Sequence, residues 1–195
     1  MIIDFDVNCN KYNDKILNNY TILSYTCPSC GAKHSFIRHA CYERNLCFLD
    51  IFNNVHEEKM TILRLKCKSC GHTHAVLPND VIPYCIYTCS YIINALTKYF
   101  EGKKVLDICD NLNISFQLLY HFISRFLDFL DSCFIVLRNL GIDNLTNNPH
   151  GVLSAISVFN KQGNFFKQYF FSTKWMFLMK NFQNILAPKI WIGSS

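Results

Sequence analysis

The chain contains no apolar run approaching the ~18–20 residues that a membrane-spanning helix requires. No membrane partner is expected. The opening stretch, Met1 to Asn13, carries Asp4 and Asp6 and lacks the basic-then-apolar order of a signal peptide. There is no G-x-x-x-x-G-K-[S/T] phosphate loop and no G-x-S-x-G nucleophile elbow. The P-C-x-x-C half of the zinc-deaminase signature is also missing, because Pro28 follows Cys27 rather than preceding it. Acidic residues run out early: after Asp131 the only carboxylate is Asp143. A three-carboxylate, two-metal catalytic core cannot be assembled from that remainder. The expectation is a protein that binds rather than catalyses.

Apolar residues are not scarce. They make up 50% of the 195 residues, and aromatics 15%, which supplies a core and argues against disorder. Eleven cysteines are present. Their number is odd and four have metal-ligand spacing, so a reducing cytoplasm is the expected compartment. The formal charge is +5 and is unevenly placed. Residues 1–133 hold 13 Lys/Arg and 13 Asp/Glu, whereas residues 134–195 hold six Lys/Arg and Asp143. By this count the basic excess falls in the last third, where an anionic partner would be met.

Two matched motifs organise the chain: Cys27-Pro28-Ser29-Cys30-Gly31 and Cys67-Lys68-Ser69-Cys70-Gly71. Each C-x-x-C turn can aim two thiolates and several backbone N–H groups at one ion, and the following glycine adopts the positive φ that closes the turn. Cys27, Cys30, Cys67 and Cys70 are therefore the candidate ligands of one structural Zn²⁺. Lys33, Lys66 and Lys68 would offset the negative charge that four thiolates leave around it. A redox motif would occur once, inside a βαβ pattern, not twice.

Between the pairs, His34 to Leu46 and Lys59 to Lys66 read as strands, joined by a loop over Asp50 to Lys59. Thr73 to Leu77 reads as a third strand. The expected unit is a zinc ribbon over residues 23–79, preceded by a polar lead-in over 1–22. His72 and His74 could replace a ligand, but with four cysteines present they read as surface or strand-packing residues. Cys41 and Cys47 lie in the hairpin and lack pair spacing, which disfavours a second metal site there.

Residues 80–140 read as helical. Apolar positions recur at helical spacing from Cys85 to Phe100, and Glu101-Gly102 ends that helix. Cys85 and Cys89 fall one turn apart and could bind metal, but burial as small apolar residues is the expectation. A short helix, Lys104 to Asn111, precedes a tight turn, and Ser115 can cap a longer helix running to about Leu130. Gln117, His121, Ser124, Arg125 and Asp128 share one face of it. Short helix, turn and longer amphipathic helix is the layout of a helix-turn-helix spanning 104–130. Gln117, His121, Ser124 and Arg125, with Lys103 and Lys104, are the candidate DNA contacts. Phe134 to Leu140 continues or adds a helix stopped by Gly141, and Asn144 to Gly151 reads as a turn-rich break. Residues 164–182 are dense in aromatics with Lys167, Lys174 and Lys180 interspersed, either to stack bases or, by preference, as core or a partner interface. The end, Lys189 to Ser195, reads as a chain stopping ahead of a domain boundary.

The order C-P-S-C-G, C-K-S-C-G-H-T-H-A-V-L-P, V-I-P-Y and then a helix pair resembles the head region of insertion-sequence transposases. More closely, it is similar to a bacterial domain-of-unknown-function family of transposase-like zinc-ribbon proteins. The resemblance covers roughly Tyr25 to Leu130. It implies DNA binding at transposon ends with the four cysteines as metal ligands, and no activity of its own. The expected fold class is α+β: an N-terminal four-cysteine zinc ribbon, a helical region with a helix-turn-helix, and a basic, aromatic-rich segment over 141–195. The expected function is a zinc-dependent DNA-binding protein without its own catalytic core, serving as the DNA-binding head or an accessory or regulatory protein of a mobile element. The alternative is a protein-interaction module in which zinc is a structural clip and the aromatic tail docks a partner protein or a second copy.

Overall fold

The computed structural model describes residues 1–19, 24–50, 52–163, 165–179 and 191–192. The fold is mixed α+β and divides into two compact units. The first comprises residues 1–46, 57–81 and 181–195, and the second residues 47–56 and 82–180.

The first unit is built on a sheet. Its strands are β1 (Ile2–Asp4), β2 (Phe36–Leu49), β3 (Val55–Cys67) and β4 (Thr73–Pro78), ordered β2-β3-β4-β1, with the two-residue β5 (Trp191–Ile192) on the far side of β1. β3 and β4 are antiparallel in the register Arg64↔Ala75, Leu65↔His74, Lys66↔Thr73. β1 runs parallel to β4, with Ile2 opposite Val76. The opening residues, expected as a polar lead-in, thus supply a strand. Ile2, Ile3, Phe5, Tyr12 and Ile16 are buried there.

Tyr12 does more than fill space. Its hydroxyl donates to the Val76 carbonyl (2.7 Å) and accepts from the Leu63 N–H (3.0 Å). Leu63 and Val76 are the next positions along the β3–β4 register. A side chain therefore stands between the two strands where the ladder ends, satisfying two backbone groups that the fold buries.

The β2–β3 connection is shorter than expected, residues 50–54 rather than 50–59. The Asp50 carboxylate accepts from the N–H groups of Phe52 (2.8 Å) and Asn54 (2.9 Å), closing a tight turn. Glu57, Glu58 and Lys59 are exposed residues of β3 itself, and so many charges in a row hide a strand from its hydrophobic period.

The second unit is helical: α1 (Cys89–Phe100), α2 (Val105–Leu112), α3 (Phe116–Leu127), α4 (Leu130–Asn139), α5 (Pro149–Gly163) and α6 (Phe165–Thr173). α1 starts four residues later than expected, because the preceding backbone is extended. Cys47 N–H bonds Ile86 O (2.7 Å) and Thr88 N–H bonds Cys47 O (3.1 Å), after which Thr88 caps the helix through Tyr91 N–H. Cys85 is consequently outside the helix, while Cys89 is buried. Gly102, at φ +80°, ends α1 as expected.

α3 ends at Leu127, and α4 follows as a separate helix stopped by Gly141 at φ +86°. The expected break at 144–151 yields sooner to helix. Asn148 Oδ1 accepts from Gly151 N–H (2.8 Å), and Pro149 occupies the first helical position. Phe165, Phe166 and Tyr169 are buried around Phe177, each ring centre within 5.5–5.8 Å of it. These rings are core, whereas Phe171 and Trp175 are exposed. No helix among the described residues is long and apolar enough to cross a membrane.

Candidate metal centre

The two C-x-x-C-G turns fold identically. In each, the glycine N–H donates to the carbonyl of the first cysteine (2.9 Å), and the first cysteine N–H donates to a carbonyl five residues on, Ala32 or His72 (2.9 Å). Gly31 and Gly71 both sit at φ +75°. A side chain at either position would be strained by backbone conformation alone, since nothing crowds the space. The second turn is the β3–β4 connection, which holds its two cysteines on the end of a rigid ladder. The first is tied to it by Lys68 N–H to Ser35 O (2.7 Å) and by the Ser69 and Ser35 hydroxyls (2.9 Å).

The four sulfurs converge. Cys27 Sγ lies 3.7 Å from Cys70 Sγ, Cys30 Sγ lies 3.8 Å from Cys67 Sγ, and all four fall within 4.8 Å of one another. Four sulfurs at about 2.3 Å from a tetrahedral ion stand about 3.8 Å apart. The donor set therefore fits such an ion, and it leaves no coordination position open. Cys27 and Cys67 are buried, Cys70 is half-buried and Cys30 is exposed, so the cluster lies at the rim of the unit.

The electrostatics favour a cation. Burial raises the Cys67 thiol, but the backbone N–H groups of Cys70 and Ser69 and the neighbouring sulfurs outweigh it and hold the group down at about 7. Cys70 receives the His72 N–H, yet burial and the three other sulfurs push it up to about 12. Burial also raises Cys27. A thiolate forms most readily at Cys67, while Cys27 and Cys70 resist, as expected when like charges share a site without a counter-ion.

His74 is the residue whose part the sequence obscured. It is buried on β4, with Phe36 edge-on at 5.7 Å, and its Nε2 stands 3.6 Å from Cys27 Sγ. It does not belong to the four-sulfur group. Burial holds its pKa down at about 4, so the ring is neutral near pH 7 and its Nε2 can serve as a donor to a Cys27 thiolate. The alternation in Gly71-His72-Thr73-His74 was the available signal: His72 is exposed and His74 faces inward. Among the described residues no other group of three or more His, Cys, Asp or Glu converges, and Cys41 and Cys47 stand apart from this cluster.

The candidate DNA contacts are distributed as follows. Lys103 and Lys104 are exposed ahead of α2, and Gln117, His121 and Ser124 are exposed on α3. Arg125 is half-buried, and its Nε is enclosed without a hydrogen-bond partner. α2 and α3 are joined through Asn113 in the left-handed region (φ +51°), and Ser115 Oγ caps α3 by accepting from Leu118 N–H (3.2 Å). Phe116 and Tyr120 are also exposed on α3, 46% and 52% respectively. Lys167 is half-buried, whereas Lys174 donates to Phe171 O (2.8 Å) and lies over that ring. Lys180, Phe182 and Lys189 lie outside the described residues.

Residues 27–108 match a family described as a domain of unknown function, DUF6431. The matched span takes in both cysteine turns, β2 to β4, α1 and the start of α2, and stops short of α3. No curated protein and no solved structure matches the chain.

Proposed function

We propose that this chain is a zinc-dependent DNA-binding protein of the transposase-head type, with no catalytic core of its own. The observation that carries the metal half is the convergence of four sulfurs at tetrahedral spacing from two identically folded turns. Zinc is the favoured ion because an all-thiolate tetrahedral set suits it and the closed site offers no position for chemistry. The ribbon reading rests on the β2–β3 hairpin, the short β4 and this cluster. The DNA half is supported by the helix pair α2–α3, the second capped by Ser115 and presenting Gln117, His121 and Ser124 to solvent.

Selection of bound duplexes from a random pool, with metal measured on the same sample, is the direct test. In that assay Arg125→Ala is expected to weaken binding to the selected site by about 1–3 kcal/mol and to relax preference at one position. Equal affinity of wild type and variant for selected and scrambled duplexes would show α3 to be scaffold. The exposed rings of Phe116 and Tyr120 favour a second reading in that event, a protein-docking helix with zinc as a clip.

A further inference from the structure

We infer that the phosphate-contacting surface is the exposed face of β3 together with the two cysteine turns, with Arg64, Lys66, Lys68 and Lys33 set against the backbone of duplex DNA. This rests on the DNA-binding reading above. Residues 24–42 and 60–79, the segments that build the metal end of the sheet, hold five Lys/Arg and no Asp or Glu. Arg64 and Lys66 alternate with buried Leu63, Leu65 and Cys67, so both stand on the solvent face of β3. Across the ladder they meet Ala75 and Thr73, neither charged. The Arg64 guanidinium donates to Thr73 Oγ1 (2.7 Å), which lays it along that face. Lys68 follows in the second turn, whose bond to Ser35 brings it beside the segment carrying Lys33. All four cations are exposed, and none of them meets a carboxylate among the described residues.

The rival surfaces are poorer. Lys174 is turned back onto Phe171, and Arg138 lies 6.0 Å over the Phe134 ring. Residues 101–128, which include α2 and α3, carry three Lys/Arg against four Asp/Glu. A helix in that setting can read base edges but supplies little counter-charge. Four thiolates on one divalent ion leave two negative charges, and the four cations exceed them. Charge complementarity thus points to a polyanion at the metal end of the sheet.

The test is the salt dependence of binding to a short duplex by the full-length, zinc-loaded protein. Each phosphate contact contributes about 0.9 to the slope of log K against log salt. The triple variant Lys33→Gln/Lys66→Gln/Lys68→Gln should flatten that slope by about 2.7 and weaken specific and scrambled duplexes alike. The Lys→Arg triple should keep the wild-type slope, and Lys174→Gln should leave it unmoved. Zinc content checked on each variant separates lost contact from lost fold. A Gln triple that retains zinc and the wild-type slope overturns the inference while leaving the DNA-binding reading intact. A slope that follows Lys174 instead places the phosphates on the C-terminal segment and also overturns it. A wild-type protein that binds an acidic peptide or single-stranded RNA but no duplex overturns both.

Discussion

Cys67→Ala is expected to yield a protein that has lost its metal and the ordered sheet of residues 1–81, while keeping most of its helical signal. Structural four-cysteine zinc sites contribute an apparent ~10–16 kcal/mol to folding in small domains. Whole domains are stable by only about 5–15 kcal/mol. Loss of the ion therefore outweighs what the remaining contacts of the sheet can supply. Cys67 is the most consequential of the four because it is buried at the end of β3 and its carbonyl and N–H both close the second turn. Without a cation it converges with three other sulfurs, whose thiolate charges would oppose its own. Chelation of wild-type protein should produce the same state. Zinc stoichiometry and amide spectra of the two preparations check this. A variant with wild-type sheet resonances and no bound metal would show that the cysteine cluster is incidental to the fold.

The second large effect is expected at Tyr12, a position with no part in the metal site. Tyr12→Phe keeps the ring but leaves the Val76 carbonyl and the Leu63 N–H without the hydroxyl between them. Each orphaned buried group costs about 1–3 kcal/mol. Tyr12→Ala adds a cavity where a fully buried ring stood, a loss of about 3–5 kcal/mol from packing alone. Urea midpoints should therefore fall in the order wild type, Phe, Ala. If Phe and wild type coincide, water or another group satisfies the two strands, and the hydroxyl is not the bond that ends their ladder.

The cysteine turns were legible because their chemistry is local. Four residues and a glycine specify the sulfurs, the N–H donors and the positive φ within a single turn. The caps of α1, α3 and α5 are of the same kind, although only Ser115 announces itself, since Thr88 and Asn148 stand inside stretches that read as helix or as loop. What escaped the sequence is non-local. Ile2 and Ile3 form a strand only because Val76 and Leu77, more than seventy residues away, offer an edge. Two apolar residues have no period to detect. Tyr12 is an ordinary aromatic until the β3–β4 register is known. The late start of α1 depends on Cys47 pairing with residues 86–88. Summed over thirds of the chain the basic excess falls at the C-terminal end, where Lys174 is exposed with its ammonium on the Phe171 carbonyl, while the fold gathers Arg64, Lys66 and Lys68 along one strand and turn with no acid paired to them among the described residues.

The most direct test of the account is X-ray absorption at the zinc edge on protein purified without added metal, paired with elemental analysis of the same sample. One zinc per chain with four sulfur neighbours at about 2.3 Å is the predicted result. A first shell containing nitrogen would bring His74 inside the site and displace a cysteine. Protein that folds with no metal would contradict the account altogether.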